Sequence, residues 1–214
     1  MFQNREDAGE LLSKKLTDYK KRRDAIVMAV PRGGVVVSRV VADKLSLFLY
    51  PLVIKKLGHP NNPELAIGAL APGNTKYVDW DLALRSGIEQ DYLDKEIEIK
   101  RKKIEERIEK YQISKIKSQI QGKNTFILID DGIATGATTL AAIKYIKSIK
   151  PPTTHYKPIT ILAVPVVAKE TYNILHSQVD KIIALEIPES FGAVGQFYKE
   201  FPQVSDEEVI KLLK

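Results

Sequence analysis

Short apolar runs alternate with helical stripes along this chain. Runs rich in branched side chains predict five strands, at residues 25–30, 50–54, 126–129, 159–164 and 181–185. Apolar positions at helical spacing predict helices between them, at residues 5–19, 35–45, 140–150 and 167–175. Strands that are apolar throughout and alternate with helices are typical of parallel sheets buried on both faces. We therefore predict an α/β fold, a doubly wound, mostly parallel five-stranded sheet in a single domain spanning residues 1–214.

Three segments depart from this alternation. Residues 57–78 are rich in Pro, Asn and Gly, which predicts a flexible loop of the kind that covers an active site. Residues 88–121 carry one apolar stripe and Glu–Lys pairs four residues apart, which predicts a long charged helix at a domain edge or dimer interface, without chemistry of its own. Residues 186–214 predict a small C-terminal hood and a last helix capped by Ser205.

Composition narrows the classes of function. The net charge of +6 suits polyanionic ligands, either nucleotides or nucleic acid. The basic clusters at 20–23 and 100–103 lie beside acidic residues and lack interleaved aromatic residues, so solvated helix faces are favoured over nucleic-acid binding. The chain has no cysteine, no bilayer-length apolar run and no signal-peptide pattern, so we expect a cytoplasmic protein that does not bind membranes.

The stretch 126–139 carries the strongest chemical signal. A predicted strand ends in Asp130 and Asp131, and a turn containing Gly132 and Gly136 leads into a predicted helix. The backbone N–H groups of such a turn, together with the helix dipole, bind anions. A carboxylate would repel phosphate, so the aspartates suit a sugar diol, Mg²⁺ or both. The alternative is an ordinary turn in which the aspartates cap the helix.

This stretch resembles the signature of the type I phosphoribosyltransferases, which is an apolar run, two acidic residues and Gly-x-x-Thr-Gly-x-Thr. The resemblance implies that the turn binds the 5′-phosphate of phosphoribosyl pyrophosphate through Ile133, Ala134, Thr135, Gly136, Ala137, Thr138 and Thr139. It also implies that Asp130 and Asp131 are catalytic residues, which bind the ribose hydroxyls and the cofactor Mg²⁺.

Two basic turns resemble the pyrophosphate site of the same family. The first predicted strand ends in a basic residue and glycines, Arg32, Gly33 and Gly34, like the family's pyrophosphate loop. Lys55 and Lys56 match a basic pair that reaches the substrate phosphates in adenine phosphoribosyltransferases. A charged strand end facing solvent is the alternative for these lysines.

The sheet topology makes a prediction about these loops. Ligands of doubly wound sheets bind where the connections diverge to opposite faces. Residues 26–30 and 126–130 should therefore be neighbouring strands, which would bring the glycine loop at 32–34 beside the two aspartates.

The roles of two further residues are inferred from the resemblance. Glu64 lies in the predicted loop, which in the family closes over a cation-like sugar, so it is a candidate catalytic acid or base; a surface carboxylate is the alternative. The region 187–198 resembles the hood of hypoxanthine-guanine phosphoribosyltransferases, where a Phe stacks on the purine. Phe191 is therefore the candidate base-binding residue, although one extra residue precedes Val194. A hydrophobic tail covering the sheet is the alternative for Phe197 and Tyr198.

The whole chain resembles a group of prokaryotic phosphoribosyltransferases of unassigned substrate. We expect an Mg²⁺-dependent glycosyltransferase of nucleotide salvage, a homodimer that transfers ribose 5-phosphate from phosphoribosyl pyrophosphate to a nitrogen acceptor such as a nucleobase and releases pyrophosphate. One alternative is a non-catalytic regulatory protein that binds phosphoribosyl pyrophosphate or a nucleotide. Another is a hydrolase of a phosphorylated sugar.

Overall fold

A computed structural model describes residues 1–149 and 157–214. The last residue of the helix predicted at 140–150 lies outside these residues. The helices and strands, in chain order, are α1 (Arg5–Lys14), β1 (Ala25–Ala29), α2 (Gly33–Leu45), β2 (Leu49–Pro51), β3 (Lys55–His59), β4 (Asn62–Leu70), β5 (Lys76–Val78), α3 (Trp80–Arg85), α4 (Gln90–Lys110), β6 (Thr125–Ile129), α5 (Ala137–Ser148), β7 (Ile159–Val166), α6 (Lys169–His176), β8 (Lys181–Glu186) and α7 (Asp206–Leu212).

The main sheet has five parallel strands in the order β2-β1-β6-β7-β8. Each strand overlaps one of the predicted apolar runs, although β2 shares only residues 50 and 51 with the run at 50–54. Every residue of β1 and β6 is buried. This confirms the predicted mostly parallel five-stranded sheet. Ala25 pairs with Thr125 and Ala29 with Ile129, so β1 and β6 are neighbours, as predicted.

Helices cover both faces of this sheet. Leu12 of α1 and Val37 of α2 are buried in one cluster with Ile127. Ile143 of α5 is buried in another cluster, with Phe126 and Leu128, on the opposite face. Alternate residues of β6 therefore point into two cores, which is the doubly wound arrangement predicted.

The loop predicted for 57–78 is wrong over most of its length. Strands β3, β4 and β5 form a three-stranded antiparallel sheet there, and Leu57 and Ile67 are fully buried. The prolines and asparagines at 60–63 surround a hairpin turn between β3 and β4. Composition indicated the turn, but Pro, Asn and Gly are depleted in strands, so it did not indicate the strands on either side. These strands are stabilised by hairpin pairing with their sequence neighbours and by packing with α5 in one core. Movement of this sheet over a ligand stays a prediction.

The charged segment 88–121 is helical, as predicted, but in two pieces. Helix α4 ends at Lys110, and a 3₁₀ segment (Ile113–Ile120) follows Gln112, which has a left-handed φ of 54°. The hood also has the predicted cap, since the Ser205 side chain accepts a hydrogen bond from the Glu208 N–H at the start of α7.

Candidate active site

A cleft of about 500 Å³ opens where β1 and β6 end. It brings together most of the site residues predicted from sequence, namely Arg32, Gly33, Lys55, Lys56, Asp130, Asp131, Ile133, Ala134, Thr135, Gly136, Thr138 and Thr139. Of the remainder, Gly34 and Ala137 lie in the adjoining first turns of α2 and α5. The predicted adjacency of the 32–34 loop and the aspartates is confirmed, because a Cβ on Gly34 would lie 2.9 Å from Asp130 Oδ1.

One part of the turn between β6 and α5 is hydrogen-bonded to the rest of the fold, and another part is exposed to solvent. Ile133 donates its N–H to the Val166 carbonyl at 2.9 Å and is 3% exposed. This amide is therefore engaged within the fold and is a poor candidate for phosphate binding. Ala134 and Thr135 are exposed, and Gly136 caps α5 with a left-handed φ of 80°. The exposed part of the turn leads directly to a helix N-terminus, where an anion is favoured.

The two aspartates have different surroundings. Asp130 Oδ1 accepts the Asp131 N–H at 2.9 Å, and Asp131 Oδ2 accepts the Arg5 Nε–H at 2.7 Å. Burial, and next the negative charge of Asp131, raise the pKa of Asp130 well above its ordinary value. Asp130 is thus a carboxylate short of positive partners, which suits hydroxyl donors or a cation.

Arg5 ties this pair of acids to the C-terminal hood. Its Nη1 donates to the Pro202 carbonyl at 2.8 Å, and its guanidinium lies 3.7 Å from the centre of the Phe201 ring. Tyr198 donates its hydroxyl to the main-chain oxygen of Asp131 at 2.6 Å. The sequence prediction missed Arg5. An available signal was a cation in the first turn of a helix, where the dipole disfavours positive charge.

The opposite wall of the cleft is basic. The peptide bond between Pro31 and Arg32 is cis, and Gly33 follows against the side chains of Arg5 and Asp131. Lys55 is half-buried, and burial followed by the charges of Arg107 and other cations lowers its pKa to about 8. Arg107 also lines the cleft, so α4 does reach the site, contrary to the expectation that this segment has no chemistry.

The hood contributes different residues from those predicted. Val194 and Phe201 line the cleft, whereas Phe191 packs on Phe197 with ring centres 5.2 Å apart and is outside the lining. Tyr198 is 5% exposed and packs against the fold, in agreement with the alternative that the tail is a hydrophobic cover for the sheet. Glu64 lies in β4, and its side chain is outside the described part of the structure.

The carboxylates fit Mg²⁺ only together with a ligand. Among the described residues, no group of three or more His, Cys, Asp or Glu side chains is placed to hold a metal. Asp131 already has one oxygen on Arg5. Mg²⁺ is commonly held by one or two carboxylates plus substrate phosphates, and this pair of acids beside a basic loop fits that pattern.

A family model described as phosphoribosyl transferase domain matches residues 2–200. The chain belongs to this family. The resemblance found in the sequence is thereby confirmed, and the parallel sheet with its flanking helices is the type I phosphoribosyltransferase fold.

Relatives of this phosphoribosyl transferase domain occur in bacteria. Two Mycobacterium tuberculosis proteins, named "Putative phosphoribosyl transferase" MT0597 and Rv0571c, are each 32% identical over 216 residues and match 100% of this chain. The chain spans 46% of each, about half the length of these relatives. The crystal structure of TT1426 from Thermus thermophilus is 33% identical with a TM-score of 0.76, covering 99% of this chain and 97% of that one. Within the described residues, no helix is long and apolar enough to cross a membrane.

Proposed function

We propose that this domain transfers the ribose 5-phosphate of phosphoribosyl pyrophosphate to a nitrogen acceptor, a nucleobase, and releases pyrophosphate. The observation that carries the proposal is the order of three surfaces around one cleft: an open anion turn, an acidic pair and a basic loop. These surfaces match the 5′-phosphate, the ribose hydroxyls and the pyrophosphate of that substrate. Each surface is chemically complementary to the part of the substrate that it would bind.

Each group of residues has its own role in this reaction. The turn at 134–136, which is exposed at Ala134 and Thr135, and the hydroxyls of Thr135 and Thr138 hold the 5′-phosphate at the start of α5. Asp130 and Asp131 bind the ribose hydroxyls and stabilise positive charge that grows at C1 as its bond to pyrophosphate breaks. The acceptor nitrogen forms the new bond to C1 and releases its proton.

The leaving pyrophosphate carries the largest charge in the reaction. Arg32 and the lysines at 55 and 56 form the wall that receives it. Arginine can bind two phosphate oxygens at once, and lysine acts as a point charge. Mg²⁺ would be held by the free oxygens of Asp130 and Asp131 together with substrate oxygens, and it would neutralise part of the negative charge on the leaving group.

The acceptor would lie under the hood. Val194 and Phe201 give the cleft an apolar edge there, which favours a flat ring over a charged amine. Stacking of a base on an aromatic ring contributes about 1–3 kcal/mol and is indifferent to the base, so it does not choose between purines and pyrimidines. A homodimer with a role in nucleotide salvage remains part of the proposal.

A regulatory, non-catalytic binder is the second candidate. The ion pair between Arg5 and Asp131 favours it, because a carboxylate already neutralised by arginine has less charge left to stabilise a cationic sugar. In that case the domain would bind the same ligand without turning it over.

The test is pyrophosphate release from phosphoribosyl pyrophosphate and Mg²⁺ with a panel of purine and pyrimidine bases. The informative variant is Asp130→Asn, because burial raises the pKa of Asp130 and disfavours its charge, so a neutral amide of the same size should leave the fold intact. Asp131→Asn is less informative, since it also leaves the buried Arg5 unpaired.

Release that depends on one base and is abolished in Asp130→Asn would support the transferase. Undiminished turnover in that variant would contradict the role given to Asp130. Tight binding by calorimetry without release would favour the regulatory binder, and release without any base would indicate a hydrolase.

A further inference from the structure

The basic wall of the cleft continues onto α4. A second cavity of about 290 Å³ adjoins the cleft, and the two share Lys55 and Arg107 in their linings. Lys103 and Lys110 of α4 line the second cavity, with Glu106 and Asp206. Helix α4 and the C-terminal helix α7 therefore frame the outer end of the cleft.

Positive charge in this region exceeds the negative charge available to balance it. Lys55 is half-buried near Arg107, Lys103 and Arg32. Burial and these like charges outweigh the opposing charge of Asp206 and lower the pKa of Lys55 to about 8. Gathering cations in a partly buried place is unfavourable unless an anion joins them. The carboxylates of the protein balance only part of this positive charge, so the wall is suited to a polyanionic ligand.

Asp206 is the internal anion of this region. Its carboxylate lies 3.3 Å from Arg107 Nη2 and 3.2 Å from Lys110 Nζ, and it accepts the Tyr111 hydroxyl at 2.6 Å. Burial opposes ionisation of Asp206, but the hydrogen bonds from Tyr111 and Lys110 and the charge of Arg107 outweigh it and lower its pKa. Asp206 is therefore negatively charged at neutral pH and is bound to a cation that also lines the cleft.

We propose that Lys55 and Arg107 bind the outer phosphate of a diphosphate ligand, and that Asp206 competes with this phosphate for Arg107. The identity of the ligand rests on the proposed function. When the ligand binds, the Arg107 guanidinium exchanges a carboxylate for a phosphate, while Asp206 keeps Tyr111 and Lys110. The C-terminal helix α7 thereby sets the affinity of the cleft for pyrophosphate.

The test is calorimetric binding of inorganic pyrophosphate to the full chain and three variants. Arg107→Gln removes the shared cation and should weaken binding about tenfold. Asp206→Asn keeps an oxygen that accepts from Tyr111 but removes the competing charge, so it should strengthen binding at least threefold. Glu207→Gln is the matched control, because Glu207 contacts Lys110 at 3.2 Å with a side chain 71% exposed, and it should change binding less than twofold.

A purely structural role for Asp206 predicts weaker binding in Asp206→Asn, so equal or weaker binding in that variant would overturn the proposal. Wild-type affinity in Arg107→Gln would also overturn it. Should Asp206→Asn fold poorly, the result for Arg107→Gln alone decides the proposal. Ribose 5-phosphate should bind equally to Arg107→Gln and wild type, because its phosphate belongs to the turn at 134–136. The expected pyrophosphate pattern without any transfer would contradict the proposed function and leave this inference standing. Absence of pyrophosphate binding in the wild type would overturn the inference.

Discussion

The ion pair between Arg5 and Asp131 gives a prediction with a definite magnitude. The two side chains are 8% and 15% exposed and lie 2.7 Å apart. Removing one partner of a buried pair leaves an uncompensated charge and costs about 3–5 kcal/mol. We expect the low end, about 3 kcal/mol, for Arg5→Gln, because Asp131 keeps some contact with solvent.

This loss is large enough to measure by thermal unfolding. For a domain of this size, 1 kcal/mol shifts the melting temperature by about 2–4 °C, so Arg5→Gln should lower it by about 6–12 °C. Arg39→Gln is the control, because its i,i+4 partner Asp43 has a 64% exposed side chain, and loss of that pair should change stability by less than about 1 kcal/mol.

A double-mutant cycle separates the pair from its surroundings. Asp131→Asn alone should also destabilise the protein, because it leaves Arg5 buried without its carboxylate. The double variant carries no unpaired charge, so its loss should fall short of the sum of the single losses by about 2 kcal/mol. Single losses that add to within about 0.5 kcal/mol would refute the claim that the two side chains act as a buried pair.

Three further predictions concern residues around the cleft. The pKa of Asp130 is raised, so the folded protein binds the carboxyl proton of Asp130 more tightly than the unfolded chain does. Stability should therefore fall as pH rises from about 4 through the raised pKa. Asp130→Asn should remove that fall in thermal melts between about pH 4 and 8. Pyrophosphate affinity should decrease as pH rises through about 8, where Lys55 loses its proton; Lys55→Arg should abolish this decrease in calorimetry, and a persistent decrease would contradict the assignment. A Cβ on Gly33 would lie 2.7 Å from Asp131 Cγ and 2.8 Å from Arg5 Nε, so Gly33→Ala should separate the pair and lower the melting temperature about as much as Arg5→Gln; an unchanged melt would show that the loop can move aside.

Two contacts that the sequence did not predict share a physical origin. Arg5 and Asp131 are separated by 126 positions, and Lys110 of α4 meets Asp206 across 96. No periodicity or motif relates positions so far apart, because such contacts exist only after the layers have packed. The failure at 57–78 has a different cause. Its strands pair with their neighbours in sequence, but the segment is rich in Pro, Asn and Gly, which are depleted in strands.

The sequence by itself determined the local features of this protein. The apolar runs fixed the five strands, because parallel strands buried on both faces must be apolar throughout, and the acidic pair followed by a glycine turn fixed the place of the anion site. Only the tertiary structure decided which side chains complete that site. Arg5, Arg107 and Phe201 reach the cleft from the first helix, the charged helix and the hood, and their positions depend on how those elements pack on the sheet.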